Sequence, residues 1–286
     1  MTTLDKLIAE TVSKSVPPEI SAMADHARKQ HQDVQAVLAY GSCLRGVSTS
    51  DSLIDLYVLT ADYSGVSKNP ISRLGCWIAP PNVYYTEMDF GGRRYRAKYA
   101  VMPRTAFQTW MTARNPYFWA RFSQPSALLF SASQQAKASV IEAITTAAKT
   151  MYGLGLGLPG SPEPLDVCTR IFAMTYGTEL RAESGKDRAR HVVESNSDYY
   201  EHIGGGLRGL APVMANWPLR RAAGKLWSAA RLLKAAFTFT GGADYLAWKI
   251  ERHSGQKITL TAFQRRHPIV ASLTLLPQLL KRGAIR

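Results

Sequence analysis

Two short β-rich runs, VQAVLAYGS (34–42) and LIDLYVLT (53–60), flank a small-residue turn, and a chain that carries them so early must build a sheet near its N-terminus. The second run holds a carboxylate, Asp55. On a strand, Leu53, Asp55 and Tyr57 share one face while Ile54, Leu56 and Val58 share the other. With the aliphatic set packed on the core, Asp55 points into whatever lies above the sheet. An ionised carboxylate there needs a cation, because unpaired burial of charge is costly.

The rest of the chain arranges itself around that sheet. Residues 1–32 read as helical with a break at Pro17-Pro18, and ISRLGCWIAPP ends a further helix. NVYYTEMDF, then Gly91-Gly92, then RRYRAKYAVM is a hairpin signal, with glycines between two β-rich runs. From Pro103 onward helical patterns dominate, WARFSQPSALL among them, with loops expected at YGLGLGLPGSPEP, HIGGGLRG and FTGG. GLGLGLPG has the glycines of a dinucleotide loop but follows a helical stretch, so it reads as a flexible linker. The aromatic cluster NPYFWARF, at helical spacing, reads as core. The lobe boundary then falls near residues 125–135. No internal repeat or low-complexity tract interrupts this plan.

A length of 286 residues suits two lobes or one domain with a large extension. The formal net charge of +14 points toward an anionic partner: nucleotide phosphates, nucleic acid or an acidic membrane surface. Cys43, Cys76 and Cys168 are odd in number and far apart, which argues against a disulfide framework and fits a reducing compartment. Asp5 and Glu10 in the first helical pattern exclude an acid-poor transit peptide, and no apolar run of ~20 residues is long enough to span a bilayer. The expectation is a cytoplasmic protein, peripherally associated with the inner face of a membrane and lying on it rather than in it.

The chemistry follows from the first two strands. Gly41-Ser42 supplies backbone N–H groups and a hydroxyl that suit a phosphate, and it faces an acid that suits a metal. Each feature alone is common: Gly-Ser after a strand recurs widely, and a strand acid is often an edge position facing water. Together, Gly41-Ser42, Gly46 and then Ile-Asp-Leu resemble the signature of the nucleotidyltransferase superfamily. That superfamily usually has two acids spaced by one residue, and here the earlier position is Leu53.

The departure narrows the resemblance. AYGSCLRG…LIDLYVLT, the hairpin NVYYTEMDFGGRRYRAKYAVM, WARFSQPSALL, AMTYGTELRAESGKDRARHVVESNSDYY and LLKAAFTFTGGADYLAWKIERHSG resemble, in order, the mitochondrial-type phosphatidate cytidylyltransferases of the translocator-assembly-and-maintenance family. The similarity touches most of the chain from Val37 to Gly255. It implies an α+β protein: a nucleotidyltransferase domain with a small mixed sheet over residues 1–130, a helical winged-helix-type domain over 131–258 and a basic amphipathic C-terminal segment over 259–286. It also implies CTP and phosphatidate as substrates and Mg2+ as cofactor, with an anionic membrane surface as partner and no nucleic acid.

Carried over by position, Tyr40, Gly41 and Ser42 would hold the CTP phosphates, Asp55 would bind magnesium and Lys98 would neutralise phosphate charge. Arg121, Arg181 and Lys186 match basic positions of the family and would reach the substrate phosphate; each has a surface ion pair as its competing reading. Magnesium rarely relies on one carboxylate, so a second acid is sought among Asp89, Glu87 and Asp51, each of which also reads as a solvated strand-end or loop acid. YGSCLRG fails the Gly-x-Ser-x-Gly pattern of a hydrolase elbow, so Ser42 is cast as a ligand and not a nucleophile.

Two segments suit a lipid surface. LRRAAGKLWSAARLLKAAF sets Leu219, Leu226, Ala230, Leu233 and Phe237 on one helical face and its cations on the other; packing on a core is the competing reading. The tail RRHPIVASLTLLPQLLKRGAIR brackets a short apolar run with cations. Two other functions stay open: a soluble nucleotidyltransferase acting on a small alcohol or an RNA end, and an inactive nucleotidyltransferase lobe that binds lipid or nucleic acid.

Overall fold

A computed structural model describes residues 2–45, 53–178, 185–238, 241–254 and 259–266. Helices α1 (Thr3–Val12) and α2 (Pro18–Arg28) come first. A Thr2 capping box opens α1, and Pro18 opens α2 where its missing N–H is harmless. Then follow β1 (Val34–Tyr40), a 3-10 turn (Gly41–Arg45), β2 (Leu53–Thr60), α3 (Tyr63–Val66), α4 (Pro70–Ile78), β3 (Asn82–Phe90) and β4 (Arg93–Pro103). The chain continues through α5 (Arg104–Thr109), α6 (Trp119–Phe122) and β5 (Ser126–Ser131). Helices α7 (Gln134–Leu156), α8 (Pro164–Tyr176), α9 (Gly185–Glu194), α10 (Ser197–Gly206), α11 (Trp217–Thr238), α12 (Gly242–Ser254) and α13 (Ala262–Arg266) complete it.

The five strands form one mixed sheet in the order β3-β4-β2-β1-β5, with β2 and β4 parallel and the other pairs antiparallel. This is the α+β architecture expected, a small mixed sheet followed by a helical region. The sheet's two faces are unlike. One is covered by α2 and the turn that follows it, where the Tyr99 hydroxyl donates to Gln30 Oε1 at 2.8 Å and Thr86 lies 3.0 Å from His26 of α2. The other carries Tyr57 under Phe107, Phe118 and Phe122, all fully buried. The apolar core runs without a break from α1 and the sheet into α7, α8 and α10.

Several local expectations are corrected. SALL is not helical: Ser126–Ser131 is the edge strand β5, which pairs with β1. A six-residue strand signals itself mainly through its partner, and that partner lies far away in sequence. Helix α7 runs through Gly153 and Gly155, so the first half of the expected linker is helical. A Cβ on Gly155 would stand 2.7 Å from Val167 Cγ1, so glycine permits α7 and α8 to approach. The glycines of HIGGGLRG likewise end helix α10, and a Cβ on Gly204 would stand 2.5 Å from Pro164. Close packing has overridden the low helix propensity of glycine at both places.

The candidate anion-binding cavity

Register across the sheet builds the floor of the site. Ser126 on β5 pairs with Tyr40 on β1, Tyr40 pairs with Asp55 on β2, and Asp55 pairs with Lys98 on β4. In-register partners point to the same face, so a phenol, a carboxylate and an amine stand in a row on the face that the aromatic cluster covers. β1 ends at Tyr40, and Gly41 turns the chain with φ of 83°, in the left-handed region that glycine tolerates best. A Cβ there would stand 3.6 Å from Asp55 Oδ2, so the turn is held close against the acid. Cys43, buried beneath it, donates to Tyr40 O at 3.2 Å.

Above this row lies a cavity of about 740 Å³, inside the range of small-molecule sites. Tyr40, Gly41, Ser42, Asp55 and Lys98 line one side. Tyr117, Arg121 and Gln124 come from the segment through α6, and Thr175 and Tyr176 from the end of α8. Asp187, Arg188 and His191 project from α9. Of the residues expected at the site, the structure therefore brings Tyr40, Gly41, Ser42, Asp55, Lys98 and Arg121 together.

The electrostatics of the floor are a contest. Burial raises the Asp55 carboxyl above the ordinary carboxylate range, while Lys98 and Arg121 pull it back down, and burial wins. Arg121 is held from several sides: it donates to the Tyr57 hydroxyl at 3.0 Å and lies over the Tyr40 and Tyr117 rings at 5.1 and 4.3 Å. The Arg231 guanidinium of α11 covers the Tyr117 ring at 3.5 Å. Burial opposes ionisation of Tyr117, but the charges of Arg121 and Arg231 outweigh it and bring the phenol down to about 8. Tyr57, buried beside Tyr117, moves upward instead. The cavity floor thus holds one acid against Lys98 and Arg121, and a second acid, Asp187, faces the cavity from α9.

The remaining expected residues lie elsewhere. Asp89 sits near the exposed tip of the β3–β4 hairpin, where its oxygens accept from Arg94 at 3.1 and 3.3 Å. That ion pair holds its carboxyl below the usual range, and it does not line the cavity. As a metal ligand it is corrected: alternation gave it a face but not the depth. Glu87 is engaged with Arg96 at 3.3 Å and with the Tyr85 hydroxyl at 2.6 Å. Lys186 is exposed on α9 and lines no part of the cavity, whereas its neighbours Asp187 and Arg188 do. Arg181, Gly46 and Asp51 lie outside the described residues.

Sequence reasoning missed Tyr117, Gln124, Tyr176, Asp187, Arg188 and His191. A usable signal existed for α9, because Asp187 and His191 are spaced by one helical turn in GKDRARH. None existed for Tyr117, which belongs to a cluster whose other members, Phe118, Trp119 and Phe122, are fully buried as core.

The donor set also bears on a metal. Among the described residues no group of three or more His, Cys, Asp or Glu side chains is placed to hold one. One half-buried carboxylate on the floor, Asp55, beside a hydroxyl and cations, with the exposed Asp187 across the cavity, fits a magnesium ion that arrives with phosphates already attached.

No protein-family model matches the chain, and no curated protein does either. Among solved structures, a nucleotidyltransferase-like protein from Exiguobacterium sibiricum is similar at 12% identity and a TM-score of 0.27, covering 94% of this chain and 92% of that chain. At that degree of likeness the functional reading rests on the cavity itself.

Proposed function

We propose that this protein is a nucleotidyltransferase that takes CTP as donor and phosphatidate as acceptor, forming CDP-diacylglycerol and pyrophosphate. The observation that carries the reading is the convergence, in one cavity, of Gly41, Ser42, Asp55, Lys98 and Arg121 from four separate elements. They include the residues on which the sequence resembles the phosphatidate cytidylyltransferases.

In this reading the Gly41-Ser42 turn cradles the triphosphate, and Lys98 and Arg121 hold its charge. A phosphate oxygen of phosphatidate attacks the α-phosphorus, a new P–O bond forms, and the bond to the bridging oxygen breaks as pyrophosphate departs. Asp55 would hold magnesium, which when bound with the triphosphate supplies positive charge along the phosphates. The attacking oxygen is already an anion, so no general base or covalent nucleophile is required. Alignment and charge stabilisation suffice for such a transfer. Arg188 and His191 replace Lys186 as candidates for the acceptor phosphate, because they face the cavity from α9.

The test is incubation of the protein with each α-labelled nucleoside triphosphate, magnesium and vesicles containing phosphatidate. The expected result is label extracted with lipid, from CTP in preference to the others. Label on a water-soluble acceptor would assign a soluble nucleotidyltransferase. The single carboxylate on the cavity floor favours one further reading, a non-catalytic anion-binding module, and nucleotide binding without transfer to any acceptor would establish it.

A further inference from the structure

Helix α4 is amphipathic, and it is mounted inside out. Its inward side carries Ser72, Gly75 and Cys76, while Ile71, Leu74, Trp77 and Ile78 are 74%, 54%, 65% and 55% exposed. The small side is well held. Asn82 donates to Ser72 O and Ser72 Oγ at 2.8 and 2.9 Å, and Cys76 donates to Val101 O at 3.7 Å. At Gly75 a Cβ would stand 3.3 Å from the Lys234 stem of α11, so that helix lies directly alongside. The Lys234 amine then ties the two together, donating to Ala79 O, Pro81 O and Asn82 Oδ1. Helix α11 meets α4 at Lys234 and Thr238, near its C-terminal end, so the exposed apolar patch is that of α4 itself. Soluble surfaces rarely gather large apolar side chains in this way unless something covers them.

Charge selects the occupant. No acidic residue occurs from Tyr63 to Thr86, which spans α4, or from His202 to Ala243, which spans α11. Lys68 and Arg73 interleave with the apolar positions of the α4 segment, and Lys234 of α11 lies beside it. A second copy docked face to face would set these cations against themselves. The chain's own segment after Glu251 is equally free of acids, so it cannot neutralise them. A surface that is apolar at depth and anionic at its rim satisfies both halves of the pattern, with Trp77 suited to the boundary between them.

We propose that the exposed face of α4 is a docking surface for an anionic phospholipid bilayer. It stands independently of the transfer reaction. The two are tested apart by using vesicles that contain no phosphatidate and no nucleotide.

The full-length protein is sedimented with vesicles of neutral phosphatidylcholine and with vesicles of phosphatidylcholine mixed with phosphatidylglycerol, at low and high salt. Binding is expected to the mixed vesicles and to weaken with salt. Leu74→Glu and Trp77→Glu, both at exposed positions, are each expected to lower that binding at least ~10-fold, since apolar insertion scales with the area buried. Their melting curves should match the parent's. Gln134→Glu, an equal change of charge at the exposed start of α7, serves as control and is expected to bind as the parent does. Unchanged binding by Trp77→Glu, or an equal loss in Gln134→Glu, would overturn the proposal. So would a parent that self-associates in sedimentation velocity, loses that association in Trp77→Glu and keeps its vesicle binding, because the face would then belong to a second copy.

Discussion

The β3–β4 hairpin carries the same chemistry at its tip and at its root with opposite outcomes. At the tip, Arg94 and Asp89 form an exposed pair, and the acid's carboxyl lies below its ordinary range. At the root, Lys98 lies in register with Asp55 of β2, and there the acid's carboxyl is raised. Arg94, Arg96 and Lys98 share one face of β4, so direction does not separate the two sites. Depth does. Water solvates both members of the tip pair, and salt-screened attraction between exposed charges contributes little to folding. At the root, the loss of hydration exceeds what two neighbouring cations return, so the charge is held at a cost to the folded state. Such a charge marks a candidate functional site.

The largest effect that sharpens this contrast is expected from Asp55→Asn. Turnover should fall at least ~100-fold, equivalent to about 2.7 kcal/mol of transition-state stabilisation. The folded state should gain at the same time. A carboxyl raised on folding binds its proton more tightly in the native state, so its favourable contribution is present at low pH and lost as pH rises through the folded value. At neutral pH the ionised group is a burden, and Asn should raise the melting temperature by a few degrees, about 1 kcal/mol. Full activity at saturating magnesium would remove Asp55 from the site and collapse the distinction between root and tip.

Lys98→Met comes next. It keeps the stem's packing on β4 and removes the charge, so nucleotide affinity should weaken ~10- to 30-fold, or roughly 1.4–2 kcal/mol, in a direct titration. Affinity equal to the parent's would make Lys98 no more functional than Arg94.

A smaller effect follows from Tyr117. Its phenol, brought to about 8, becomes an anion inside the cavity as pH rises through that value. Nucleotide affinity should therefore decline a few-fold above pH ~8, and Tyr117→Phe should flatten that alkaline limb. The depressed value also fixes a stability trend. The contribution is fully present above the unfolded value near 10 and is lost as pH falls through about 8. Phenolate absorbance that titrates near 8 in the parent and not in Tyr117→Phe would confirm the assignment; titration of all the tyrosines near 10 would refute it.

The smallest effect is expected at the tip. Asp89→Asn should leave turnover, magnesium dependence and melting temperature where they were. A large loss of activity would bring the hairpin tip into the site and break the comparison.

Much of the fold was legible because it depends on local periodicity. The alternation in LIDLYVLT placed Asp55 and Tyr57 together, Gly91-Gly92 marked the hairpin, and Pro17-Pro18 separated the first two helices. β5 was not legible, since SALLFS is short and becomes a strand through its pairing with β1. Nor were the helical glycines of α7 and α10, whose reason for being glycine is a neighbour remote in sequence.

The site divides along the same line. By itself the sequence determined which residues share a strand face, that Asp55 has no acidic partner at Leu53, and that the chain carries a formal net charge of +14. Only the tertiary structure decided that Asp89 stays in water while Arg121, Tyr117 and the α9 residues reach the cavity, and that α4 turns its apolar side outward. The physical reason is that a side chain's direction follows from the dihedral repeat of its own segment. Its depth, and hence the solvation that sets its charge and its partners, depends on which distant segments pack above it.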